Sequence, residues 1–307
     1  MKRRDFFKKS IGAGVVAGAG VAFGGIGRIF AGNNNPLPAK YDLAAIKGGE
    51  PDVMFDKAIE VMGGMKNYVK SGQTVVVKPN IGWDVIPEKA ANTNPVLVKR
   101  IIEQCFDAGA KEVYVFDYTC DEWTRCYSNS GIEKAAKDAG AKVVPGNVEK
   151  YYREVDIPEG KNLKTDKVHE LILDSDVFIN VPILKSHGSA KLTICMKNLM
   201  GIAWGRKQWH RNDLHQCIAD FATYCKPDLN VVDAYYVMKK NGPRGVSKED
   251  VVTMKSLLIS EDMVAADAAG AKLFGLEPDD VPYIKIADEM GAGTKDLDNL
   301  SISRQKL

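Results

Sequence analysis

The stretch 176–201, DVFINVPILKSHGSAKLTICMKNLMG, begins as the apolar run DVFINVPIL and then delivers Lys185, His187, Lys197 and Asn198. A short apolar run without alternation reads as a strand buried on both faces, which a mainly parallel sheet covered by helices requires. Burial alone gives no reason for two cations, an imidazole and an amide at its end. In open α/β sheets ligands sit beyond the carboxyl ends of the strands, so the same segment predicts a fold and a site.

The flanking sequence repeats this alternation. Residues 52–69 read as an amphipathic helix, TVVVK at 74–78 as a buried strand, and 95–109 as a helix opened by Pro95 and closed by Gly109. Then follow EVYVFD at 112–117, a helix near 130–139 and AKVVP at 141–145. A polar, irregular segment spans 146–170. Beyond the quoted stretch come a helix near 211–225, LNVVD at 229–233, SLLIS at 256–260, a helix from Asp262 to Phe274 and a last helix near 279–290. The expected fold class is α/β: a mainly parallel sheet flanked by helices, as one body or as two lobes with a crevice at the strand C-terminal ends.

The first 31 residues differ from the rest. MKRRDFFKKS is basic and IGAGVVAGAGVAFGGIGRIFA is apolar and glycine-rich, the layout of a signal peptide. Arg3 and Arg4 followed by Asp5, Phe6, Phe7 and Lys8 resemble the twin-arginine signature, with Ala31 before a cleavage point. The alternative is an uncleaved anchor, which the glycines and Arg28 disfavour. Export by this route predicts a periplasmic or extracytoplasmic location, passage through the twin-arginine machinery and, because such proteins cross folded, a bound metal or cofactor. GNNNPLPAK at 32–40 is a linker by composition, and the mature domain is expected over 41–307.

The net charge of +2 is a leader effect. Six basic residues against Asp5 give residues 1–31 a charge of +5, leaving −3 for the remainder. No basic stripe marks a nucleic-acid surface. The six cysteines contain no CxxC pair, so the spacing does not support a zinc ribbon or an iron–sulfur cluster. Cys120 and Cys126 flank DEWTR and could pair with each other or bind metal.

Several expected strands end in polar residues: Lys78, Pro79 and Asn80 after TVVV, Asp117 after EVYVF, Asp233 after NVV, and Glu261 and Asp262 after LLIS. If all run parallel, these ends share one edge. Lys78, Asn80, Lys197 and Asn198 are candidates for holding an anion or cofactor, and Lys185 and His187 for catalysis. His187, Asp117, Asp233, His210 and His215 are candidate metal ligands, although the five-residue spacing of His210 and His215 is off one helix face. Asp262 is more simply a helix cap.

KPNIG at 78–82, TNP at 93–95, FD at 116–117, INVPILKSHGSAKLTICMKNLMG at 179–201, HRNDLHQCIAD at 210–220, VVD at 231–233 and LLISEDMVAADAAGAKLFG at 257–275 resemble the domain of unknown function 362 family. The resemblance runs from Lys78 to the C-terminus. It implies twin-arginine export or fusion to ferredoxin-like domains, whose cysteine repeats this sequence lacks. The strand, Thr-x-Pro turn, helix and later His/Lys-rich loop also look like the two-domain lactate racemase fold, where lysine and histidine hold a nickel-pincer cofactor. The expected function is an exported metal- or cofactor-dependent enzyme, of redox or isomerase chemistry, acting on a small anionic substrate. The alternatives are a non-catalytic binding protein for an anionic solute or metal, and a subunit serving a membrane redox partner.

Overall fold

The computed structural model describes residues 41–307, so the leader and the linker lie outside the described residues. The first half of the described chain contains β1 (Leu43–Lys47), α1 (Pro51–Val61), β2 (Thr74–Pro79), α2 (Pro95–Asp107), β3 (Glu112–Val115), α3 (Trp123–Asn129), α4 (Ile132–Asp138) and β4 (Lys142–Val143). A hairpin of β5 (Tyr152–Asp156) and β6 (Thr165–His169) leads through α5 (Glu170–Asp174) into β7 (Val177–Val181), β8 (Ile183–His187) and β9 (Lys191–Thr193). Then come α6 (Cys195–Asn198), α7 (Arg206–Trp209), α8 (Leu214–Tyr224), β10 (Leu229–Met238), β11 (Val251–Ser260), α9 (Met263–Phe274), α10 (Pro282–Glu289) and β12 (Ile302–Lys306).

All strands but the β5–β6 hairpin share one sheet, ordered β12-β1-β11-β10-β7-β2-β3-β4, with β8 and β9 branching from β10. The β10-β7-β2-β3-β4 stretch is parallel throughout, as the unbroken apolar strands require. Alternate residues serve two cores. Val75, Val77, Ile179 and Val231 pack on one face, Val76, Phe178 and Val232 on the other.

The structure departs from the sequence reading at identifiable points. The helix expected over 52–69 stops at Val61, because Gly63 and Gly64 take positive φ values of 93° and 87°. The irregular segment contains the antiparallel β5–β6 hairpin. β11 runs antiparallel to both neighbours, so Glu261 and Asp262 leave the sheet in the direction opposite to the other strand ends. Asp262 there caps α9, accepting from Val264 and Ala265 N–H at 2.8 and 3.1 Å.

The quoted apolar run is two strands. Pro182 has no N–H to continue the ladder beside β2, and the chain leaves β2 there and runs on beside β10, which β7 already pairs, as β8. It then returns as β9, with Lys185 opposite Thr193 and His187 opposite Lys191. Lys185, His187 and Thr193 therefore share one face of a hairpin, where the sequence suggests a loop.

A polar row crosses this apolar sheet. Lys78 pairs in register with Asn180, Asn180 with Asn230, and Asn230 with Ser260, and all four side chains are buried. Registered neighbours project to the same side, so the row lies along one face at the level where β2 and β7 end.

Candidate functional site

The site grows from the ends of β2, β3 and β7, the β8–β9 hairpin and the one-turn helix α6. Asp267 of α9 fixes that helix, its Oδ1 and Oδ2 accepting from Cys195 and Met196 N–H at 2.6 and 3.1 Å. Burial outweighs these bonds and raises the Asp267 pKa to about 7. The anchored turn presents Lys197 and Asn198.

Asn198 is the hub. Its Oδ1 accepts from Lys78 Nζ at 3.0 Å and Asn80 Nδ2 at 2.9 Å, and its Nδ2 donates to Asn180 Oδ1 at 2.9 Å. Asn180 Nδ2 passes the chain on to Asn230 Oδ1 at 3.0 Å. On the other side, Asn80 Oδ1 accepts from Lys185 Nζ at 3.1 Å. Burial of such groups is tolerable only because each has partners.

Lys78 is fully buried, and its Nζ meets Asp117 Oδ1 at 2.8 Å and donates to Pro79 O at 2.9 Å. Burial lowers its pKa and the Asp117 carboxylate opposes that shift. Asp117 Oδ2 accepts from Ile81 N–H at 2.6 Å. Gly201 is required beside this pair, since a Cβ there would lie 1.8 Å from Asp117 Oδ1 and 2.7 Å from Lys78 Nζ. Gly201→Ala is expected to lower the unfolding free energy by about 1–3 kcal/mol, the usual cost of overpacking. A urea midpoint unchanged from the native protein would refute that contact.

Two further lysines complete the cleft. Lys185 Nζ donates to Ala91 O at 2.5 Å as well as to Asn80, and burial lowers its pKa to about 7. Lys197 is half-buried, and among the described residues its ammonium has no hydrogen bond or ion pair. Burial lowers its pKa to about 8. Thr193 lines the same cleft; it is 3% exposed and its hydroxyl has no hydrogen-bond partner among the described residues.

His187 also lines the cleft, and burial, reinforced by Lys197 and Lys185, lowers its pKa to about 2. Its Nδ1 accepts from Ser189 and Ala190 N–H at 3.3 and 3.2 Å. The neutral ring therefore carries its proton on Nε2 and acts as a donor. Neither nitrogen is free to bind a metal in that form, and so weak a base is ill matched to accepting a proton near neutrality.

Arg206 of α7 forms the opposite wall. Its guanidinium donates to the Tyr118 and Thr119 carbonyls and stacks 3.8 Å from the Tyr118 ring. Together these groups enclose a cleft of about 60 Å³. A larger surface groove of about 480 Å³, near Lys99 and Lys134, holds charges that pair among themselves, such as Lys134 with Asp138 at 2.5 Å. It lacks the buried cations of the smaller cleft.

The structure thus brings Lys78, Asn80, Asp117, Lys185, His187, Lys197 and Asn198 together. Of the candidate metal ligands only Asp117 and His187 line the cleft; His210 and His215 lie near His187 but outside the lining. Asp233 Oδ2 accepts from Asn94 N–H at 2.7 Å and Oδ1 from Tyr235 N–H at 3.0 Å, anchoring the TNP turn. His215 stacks on Tyr283, with centroids 6.1 Å apart, and His210 ends α7. Among the described residues no three His, Cys, Asp or Glu side chains are grouped to hold a metal ion. A bare metal ion in the cleft would face Lys185, Lys197 and Arg206, with Asp117 already committed to Lys78. The donor set suits an anion. Thr193, Asp267 and Asn180 were not singled out by the sequence reading; Asn180, a lone amide within FINV, carried the one available signal.

A family model described as a domain of unknown function (DUF362) matches residues 75–272. A thylakoid-associated protein of Synechocystis is 25% identical over 241 residues, covering 76% of this chain and 73% of its own. Among solved structures, the lactate racemase apoprotein of Thermoanaerobacterium thermosaccharolyticum aligns with a TM-score of 0.44 and 13% identity over 72% of this chain. A Thermotoga maritima structural-genomics protein gives 0.44 and 10% over 78%. The chain spans only 55% and 60% of those two structures.

Proposed function

The chain belongs to the domain of unknown function 362 family, and from that premise we propose that it is an exported enzyme that binds a small carboxylate-type anion and transfers a proton at it. The observation that carries this reading is the pairing of Lys197, an ammonium without a partner among the described residues, with Lys185, whose pKa of about 7 leaves both protonation forms populated at neutral pH. Lys197 and the Nε2–H of His187 anchor the anion. As a neutral amine, Lys185 uses its two N–H groups on Ala91 O and Asn80 Oδ1, which leaves the lone pair to take a proton. As an ammonium it has one N–H left to return. This is isomerase-type chemistry; an anionic organic cofactor would be held by the same two lysines.

Extracytoplasmic work after twin-arginine export is supported by the Arg3–Arg4 leader. The thylakoid association of the Synechocystis relative is compatible with work at a membrane, and among the described residues no helix is long and apolar enough to cross one. The −3 charge of the rest of the chain argues against a nucleic-acid partner.

The test is calorimetry of the exported protein with a panel of two- to four-carbon carboxylates, coupled to deuterium exchange at the carbon next to the carboxylate. Lys197→Ala is expected to weaken binding about 10–100-fold, the worth of one charged hydrogen bond. Lys185→Met is expected to abolish exchange and to weaken binding below pH 7, leaving the affinity that Lys197 and His187 supply. Binding without exchange in the native protein would favour a non-catalytic binding protein. Binding unaffected by Lys197→Ala would discard the site.

A further inference from the structure

Cys120 is the one exposed cysteine among the described residues; Cys105, Cys126, Cys195, Cys217 and Cys225 are buried. It borders the cleft, where its backbone N–H donates to Gly82 O at 2.8 Å and the preceding carbonyls of Tyr118 and Thr119 bind Arg206. Cys120 lines the same cleft as Lys185, Lys197 and Thr193. A thiol alone would mean little. Here the same cleft contains the Lys197 ammonium and the buried Thr193 hydroxyl, each without a hydrogen-bond partner among the described residues, which together call for an anionic, hydrogen-bonding ligand.

We infer that Cys120 is a nucleophilic site for small carboxylates that carry an electrophilic carbon, with Lys197 and Lys185 steering the carboxylate to the sulfur. This rests on the anion-binding reading above and adds a covalent step to it. With a 2-oxo acid, the sulfur bonds to the carbonyl carbon, the carbonyl π pair moves to oxygen, and the thiol proton ends on that oxygen. With a 2-halo acid, the S–C bond forms as the halide leaves with the bonding pair, and the thiol proton passes to solvent. Neither step consumes an oxidant or reductant.

The test compares alkylation of the exported protein by iodoacetate and by uncharged iodoacetamide, with glutathione as reference and the labelled peptide read by mass spectrometry. Cationic clefts concentrate anions about 10–1,000-fold. The iodoacetate-to-iodoacetamide rate ratio at Cys120 is therefore expected to exceed that of glutathione by about tenfold or more. Lys197→Ala and, independently, 1 M sodium chloride are each expected to erase the excess. A glutathione-like ratio at Cys120 in a protein that still binds carboxylates by calorimetry would overturn this inference and leave the anion site standing. A glutathione-like ratio with no carboxylate binding would overturn both. An excess that survives Lys197→Ala and salt would overturn the steering by these lysines.

Discussion

Lys78→Met is expected to lower the unfolding free energy by about 3–5 kcal/mol, the range found when one partner of a buried ion pair is removed. Methionine replaces the aliphatic stem at similar volume, so the change isolates the ammonium. What it leaves behind is Asp117, 2% exposed, with Ile81 N–H still on Oδ2 and nothing opposite Oδ1. Asn198 Oδ1 and Pro79 O lose a donor as well. The double change Lys78→Met with Asp117→Leu is expected to be less destabilised than the single one, because no uncompensated charge remains. Denaturant unfolding reads both. A loss below about 1 kcal/mol in Lys78→Met would mean the pair is not a strut of the cleft.

The second large effect is in pH. Lys185 and Lys197 bind an anion as ammonium ions, and their pKa values of about 7 and about 8 lie well below the usual lysine value of 10.5. Carboxylate affinity is therefore expected to be flat below about pH 6, to fall roughly tenfold per unit between 7 and 8, and to fall more steeply above 8. The groups facing these ammonium ions are Cys120, Asp117, Lys78, His187 and each other, with Arg206 and His210 also facing Lys197. His187, already neutral at a pKa of about 2, adds no step near 6.5. Stability moves the opposite way. The unfolded chain binds more protons than the folded one between about pH 7 and 10.5, so the two lysines make the fold more stable as pH rises through that window. Calorimetry from pH 5 to 9 tests the binding arm. No loss of affinity between pH 6 and 9 would remove the two lysines from the site.

Much of the cleft was legible because its residues interrupt apolar strands. Lys78, Asn80 and Asp117 follow VVV and YVF, and Lys185 and His187 follow FINVPIL, where a core offers no place for them. The parallel centre of the sheet followed from the same runs. Pro182 was harder to weigh, since apolar residues continue across it and only the loss of its N–H ends the pairing with β2 while that with β10 goes on. Thr193 and Asp267 sit within apolar stretches where a hydroxyl or a carboxylate also reads as a minor blemish. Asp233 looked like the rest of the site but anchors the TNP turn, and His210 and His215 come near His187 without lining the cleft, because tertiary packing decides which strand and helix ends face it.

The buried row of Lys78, Asn180, Asn230 and Ser260 bears on how the chain finds its alignment while folding. Strands as uniformly apolar as TVVVK and DVFINV tolerate sliding, because a valine moved one place still meets apolar neighbours. The amides do not. A one-residue slip of β7 would turn Asn180 to the opposite face and break its bonds to Asn198 and Asn230, stranding buried amide groups at about 1–3 kcal/mol each. The row thus proofreads the sheet: among many pairings of similar hydrophobic merit, it penalises the shifted ones, and only the native alignment closes the chain of amides.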